Sequence, residues 1–177
     1  NSQNFISGIP GFKIENVTLS NINITLFGNG EAKQARREIP EEITAYPKSG
    51  MFGDLPAYGF YVRHVDGIKM NNVKLEALNP DYRPALVFDD VSDVDVTECT
   101  LEGYKSSEPV ISLINVENAN FRNNTLKGGN DNFIGISGEK SKEIILKDNF
   151  LKNIKNTCKL SKEVRKEVVT EIGTIHL

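Results

Sequence analysis

A hydrophobic pattern that returns about every 25 residues constrains this chain more than any other feature of its sequence. Aligned on Val17, Ile68, Val94, Ala119 and Ile144, the segments place Leu19, Met70, Val96, Phe121 and Leu146 two residues on. Seven residues on come Ile24, Leu75, Leu101, Leu126 and Leu151. From Ile68 onward the starts lie 26, 25 and 25 residues apart; the first gap, of 51, is two periods or one period with a long insertion. Strand-type alternation inside a constant period marks a solenoid, in which each unit buries its apolar face against its neighbours alone. The expected fold is therefore all-β: a right-handed parallel β-helix of roughly five to six coils, forming one domain over residues 1–177.

Composition agrees with that architecture. Hydrophobic residues make up 38% of the 177, little for a globule but enough for a narrow core inside a polar surface. The net charge is −3 with both signs interspersed, so there is no basic stripe of the kind that holds nucleic acid. No apolar run is long enough to span a bilayer, so neither nucleic acid nor membrane is an expected partner. The chain does not begin with Met, and we expect it to be the processed or trimmed product of something longer. Export to the periplasm or the extracellular space is compatible with this composition. Cys99 and Cys158 form no CxxC or Cys/His spacing, so no metal or other cofactor is expected; one disulfide is open to them, with two buried or free thiols the favoured reading.

Residues 9–26 read as the first coil, and residues 28–57 break the pattern. Gly28-Asn29-Gly30 is turn chemistry, Glu31 to Glu38 suits a short helix stopped by Pro40, and Pro47, Gly50, Gly53 and Pro56 make an extended loop. We read 28–57 as one insertion packed on the flank of the solenoid, and loops of this length are usually functional. The tail, 157–177, suits a cap: a helix on Leu160, Val164 and Val168, or a closing strand on Val168–Ile172. Parallel stacking puts Asn21, Asn72, Asn123 and Asp148 in one column with Glu98 as the exception, and Asn124 and Asn149 in the next. Asn tolerates left-handed turns, so this column calls for no catalytic explanation.

Tyr46-to-Gly103, and within it the phrase PAYGFYVRHVDG, resembles the C-terminal coils of bacterial polygalacturonase-like enzymes of glycoside hydrolase family 28, in the pectate-lyase-like β-helix superfamily. GIPGFKIENVTLSNINIT (8–25) looks like the coil that follows the catalytic region there. The resemblance implies a pectin-type acidic polysaccharide or oligosaccharide as partner and inverting hydrolysis by a cluster of aspartates. The family's series of Asn-x-Asp, Asp-Asp, Gly-His-Gly and Arg-x-Lys does not precede the first coil, and Asp89-Asp90 is followed by neither of the last two. The chain is accordingly expected to supply scaffold and one groove wall, to lack the catalytic carboxylates and to be inactive alone. Its exposed end would meet missing N-terminal coils or a second copy.

Tyr46, Tyr58, Tyr61, Arg63 and His64 are the candidate substrate-binding residues, as aromatic faces and planar donors around the insertion. The competing reading is that these aromatics pin the insertion down, that His64 is a satisfied turn histidine, and that Arg63 and Asp89 form an exposed ion pair between coils. The functional alternative is a non-catalytic carbohydrate-binding or structural β-helix. An enzyme with a different site on the same solenoid is a third.

Overall fold

The computed structural model describes residues 4–46, 48 and 50–177; Pro47, one of the loop-forming prolines named above, lies outside the described residues. The period becomes a stack of coils. The first holds β1 (Asn4–Ser7) and β2 (Ile14–Leu26); after the insertion, with its one short helix α1 (Ala32–Ala35), the second is a single long strand, β3 (Phe60–Ala77). The third has β4 (Leu86–Thr97) and β5 (Thr100–Gly103), and the fourth β6 (Ile111–Arg122) and β7 (Thr125–Gly128). Next come β8 (Asn130–Ser137), β9 (Lys142–Lys147) and β10 (Phe150–Leu151), then β11 (Ile154–Leu160), β12 (Val169–Ile172) and β13 (Ile175–His176). The strands form one 13-stranded sheet wound into a parallel β-solenoid of about 5 turns.

The alignment seen in the sequence is the register of the sheet. Val17 pairs with Ile68, Ile68 with Val94, Val94 with Ala119, and Ala119 with Ile144. The gap of 51 is thus one period with an insertion, because β2 lies directly on β3. Inward side chains form one continuous core in which Val65, Ile68, Leu75, Phe88, Leu113 and Phe121 are wholly buried. Each such side chain contributes about 1.5–3 kcal/mol of transfer free energy. The rings of Phe88 and Phe121 meet edge to face at 6.4 Å across adjacent coils.

Strands as long as β3 bend at single residues in the left-handed region. His64, Asp90 and Asn115 make one such corner (φ 50, 54 and 53), with Gly138 following in register. Asn21, Asn72, Glu98, Asn123 and Asp148 make another (φ 52 to 56), as the sequence column anticipates. Asn and Asp enter this region at little strain. The neighbouring column is a buried amide ladder: Asn124 Oδ1 accepts from Cys99 N (2.9 Å), Asn149 Oδ1 from Asn124 N (3.0 Å), and Asn124 Nδ2 donates to the Val96 carbonyl (3.0 Å).

The tail resolves as a closing strand. β12 pairs with β9 and β13 with β10, and the only helical piece is a single 3₁₀ turn at Lys166–Val168. The free backbone groups of β9 offered more hydrogen bonds than a lone short helix could, and β-branched Val169, Thr170 and Ile172 favour extension. The closing strand thus lies in a last coil that begins with β11 at Ile154. Cys99 is buried in the core and Cys158 half-buried in this coil, both as free thiols; burial pushes Cys99 up to about 11 and Cys158 up to about 12. Coil 1 is half-covered: Val17, Leu19, Ile22 and Ile24 are only partly buried, whereas their partners in β3 are sealed.

The two Asn columns should respond differently to substitution. Asn123→Gly leaves stability nearly unchanged, and Asn123→Val lowers it by about 1–2 kcal/mol because a β-branched residue is forced to positive φ. Asn124→Ala strands buried backbone groups and loses about 2–4 kcal/mol. Urea unfolding midpoints of the three variants check this.

Candidate functional site

The insertion lies over the outward face of coils 2 and 3. Alternation along β3 sends Phe60 and Val62 inward and Tyr61 and Arg63 outward, where the insertion covers them. Beneath it Ile39, Phe52, Leu55, Ala57, Tyr61 and Val87 form a second, smaller apolar cluster. Phe52 closes on Phe5 of β1, ring to ring at 5.0 Å and 80°.

Two polar clasps hold the insertion. At its base the wholly buried Asp81 accepts from Gly30 N (2.9 Å) and pairs with the guanidinium of Arg83 (2.8 Å), whose Nη1 donates to the Leu55 carbonyl (3.2 Å). One ion pair thus ties both the start and the end of the insertion to the loop between β3 and β4. The second clasp sits at the corner occupied by His64. Its Nδ1 lies 2.7 Å from Asp90 and its Nε2 3.0 Å from Glu41. Arg63 donates to the carbonyl of Ile39 (2.9 Å), pairs with Glu41, and places Nε 3.6 Å from Asp89.

A short loop adds the last member. The six residues from Gly8 to Lys13 stand opposite His64 alone, and Lys13 Nζ comes within 3.8 Å of Asp90. Three basic and three acidic side chains therefore meet around one corner of coils 1 to 3.

The two neighbouring aspartates have been driven apart. Burial lifts Asp89 above the usual carboxylate range, and this outweighs the hydrogen bond from Tyr61 (3.0 Å) and the nearby Arg63 charge. Burial also pushes Asp90 upward, but there the hydrogen bond with His64 and the charge of Lys13 prevail and hold it below its ordinary value. Beside this clasp, between α1 with the residues after it and the outer face of coils 2 to 4, is an open cleft of about 420 Å³. Arg36, Arg37, Tyr61, Arg63, Asp89 and Ile114 are among its lining residues. Asp89 accepts the Tyr61 hydroxyl hydrogen bond at the wall of this cleft. Asp90 is turned toward His64, so the pair does not make an acid and a base facing one substrate.

The five candidate residues separate. Arg63 and His64 are together in the clasp. Tyr61, 1% exposed, lies beneath the insertion, and Tyr58 points into the core with its hydroxyl donating to the Glu102 carbonyl (2.7 Å). Tyr46, 84% exposed, makes no side-chain hydrogen bond or ring contact among the described residues. The Arg63–Asp89 pair expected to be exposed joins adjacent coils as read but is covered, Arg63 being 9% exposed, because the insertion closes over it. Glu41, Asp81 and Arg83 were not anticipated. The Asp-x-Arg spacing at 81–83 was the available signal; Glu41 sits in a segment without periodicity. Among the described residues no group of His, Cys, Asp and Glu could hold a metal ion. Comparison with protein-family models, with curated proteins and with solved structures finds no match for the chain.

Removing the carboxylate shared by Arg63 and His64 should free the insertion and spare the solenoid. In Glu41→Ala, amides of residues 31–57 exchange about tenfold faster while those of β4, β6 and β9 are unchanged, as hydrogen–deuterium exchange would show. Acid acts on the aspartates in opposite senses. The depressed Asp90 contributes stability that is full above its unfolded value of about 3.9 and is lost as pH falls through its lower native value. Asp89, raised, opposes folding once pH climbs past the unfolded value. Asp90→Asn should therefore destabilise at pH 6 and converge on the parent protein in strong acid, whereas Asp89→Asn flattens the profile above about pH 4. Urea titrations across that range read both.

Proposed function

We propose that this chain is a glycan-binding β-solenoid: coils of a polygalacturonase-like architecture that supply the scaffold and one wall of a groove for an acidic polysaccharide, without cleaving it. The observation that carries this reading is the open cleft beside the insertion. It places three guanidinium groups along a rigid wall, and the phrase PAYGFYVRHVDG runs through β3, which builds its floor. Planar guanidinium groups match carboxylates in two-point hydrogen bonds, as a uronic acid polymer would present them. The wall is preorganised, since the clasps hold the insertion before any ligand arrives. On this reading the carboxylates that would cut the polymer belong to coils preceding these.

The second reading, a purely structural β-helix, draws on the same side chains. Arg63 is spent on Glu41 and on backbone carbonyls, Arg37 donates to the Asp54 carbonyl (2.7 Å), and Tyr58 and Tyr61 are buried. Arg36 decides between the two, because it is exposed and its side chain is tied, among the described residues, to Glu108 alone (2.7 Å).

Calorimetric titration with a galacturonate oligomer, paired with an assay for new reducing ends, tests the proposal. We expect binding at roughly millimolar affinity or better, weakened about tenfold by Arg36→Ala, and no new reducing ends. Absence of binding at roughly 10 mM oligomer would leave the structural reading. Release of reducing ends by the pure chain would overturn the non-catalytic part and direct attention to Asp89.

A further inference from the structure

We infer that a second groove, at the corner of the solenoid where β5, β7 and β8 meet, binds a saccharide carrying an anionic group. The groove measures about 460 Å³, within the range of small-molecule sites, and shares no lining residue with the cleft beside the insertion. The loop 104–108 stands between the two. It is braced on one side by the Arg36–Glu108 pair and on the other by buried Asn130, whose Nδ2 donates to Ser107 Oγ (2.6 Å) and the Glu108 carbonyl (2.8 Å).

Three properties specify the ligand. Part of the lining is bare backbone: Gly128 has φ +80 and a Cβ there would sit 2.3 Å from the Gly103 carbonyl oxygen, while one on Gly129 would meet Asn153 Cβ at 2.9 Å. Close coil stacking thus keeps this edge of the groove free of side chains, beside Asn130, Asp131, Asn153 and Lys155. One end carries Tyr104, half-buried and anchored by its hydroxyl to the Ala77 carbonyl (3.4 Å), which supplies apolar surface beside that edge. The charge is a single net positive one. Lys155 and Asp131 neutralise each other at 2.6 Å, whereas Lys105 makes no ion pair or side-chain hydrogen bond among the described residues.

A backbone edge without side chains, an aromatic flank and one free ammonium group suit a sugar ring with one carboxylate or sulfate. They do not suit a polyphosphate, which would need several cations, or a metal ion, for which no ligand cluster exists among the described residues. An aromatic side chain flanking polar groups is the usual means of holding an amphipathic ring. The inference takes its ligand class from the glycan-binding reading but not its location, and either site can fail without the other.

An amide-resolved NMR titration of the full chain separates the two. The probes are trigalacturonate, a sulfated trisaccharide and a neutral galactose trisaccharide of equal length. We expect the charged probes to shift the amides of Gly103, Gly128 and Gly129, with Lys105→Ala raising Kd about tenfold. Tyr104→Phe keeps binding and Tyr104→Ala loses it; should the alanine variant not fold, Lys105→Ala alone carries the test. Which charged probe binds identifies the anion as carboxylate or sulfate, and either supports the site. Shifts confined to Ala35–Ile39 and Ile114 would overturn this inference and leave the first cleft standing. Equal binding of the neutral probe would overturn the role of Lys105, and no shift at the three glycines would overturn the site.

Discussion

The structure depends on one constraint: every coil must turn at the same places, so that each backbone group meets its partner in the coil above. A corner made by one left-handed residue satisfies this because it bends the strand without interrupting the stacking on either side. That explains why β3 runs through 18 residues yet goes around a solenoid, and why its partners bend beside it. It also explains the residue types. Asn, Asp or Gly occupies most corners, with exposed Glu98 and Glu143 as exceptions. At the covered corner of coil 2 the bulkier His64 does so, held by the clasp with Glu41 and Asp90.

The core and the insertion are held by different physics. Coils 2 to 5 are held by area: inward Val, Ile, Leu and Phe are removed from water on all sides, and no single contact decides the outcome. The insertion has only a small apolar cluster of its own and almost no regular hydrogen bonding, so it relies on two directional clasps. Asp81 and Arg83 act at its ends, and Glu41 with Arg63 and His64 near its middle. Buried and partly buried pairs of this kind contribute modestly to stability, but losing one partner leaves a charge unmatched. They act chiefly on where the insertion lies.

This difference in physics also separates what was legible in the sequence from what was not. Coil register could be read directly, since Val17, Ile68, Val94, Ala119 and Ile144 pair as aligned, and the Asn column proved to be a corner. Both follow from a repeat, and a repeat carries its own internal check. The candidate site was legible only in part. Arg63 and His64 could be marked because they fall at outward and corner positions of a coil, but their partner Glu41 lies in a segment with no period. Tyr58 and Tyr61 show a second limit: position beside an insertion does not reveal whether the insertion covers the ring or frames it. The tail was ambiguous because Leu160, Val164 and Val168 satisfy a helical spacing while the next residues satisfy a strand, and only the free edge of β9 decided between them.

A solenoid separates scaffold from site more completely than a globule does. Its inward positions carry the stability, its corners carry the register, and its outward positions are left unconstrained unless something is laid across them. Here an insertion of about one extra period is laid across coils 2 and 3, and the outward residues beneath it become a buried charged cluster beside an open cleft. At the corner of β5, β7 and β8 no insertion is laid across among the described residues, and the close approach of the coils leaves no room for side chains at Gly128 and Gly129. Both grooves are therefore consequences of stacking: one where an added loop leaves a gap against the sheet, the other where successive coils approach too closely for a Cβ. Substitutions in either can reshape the groove while leaving the core that supports it intact.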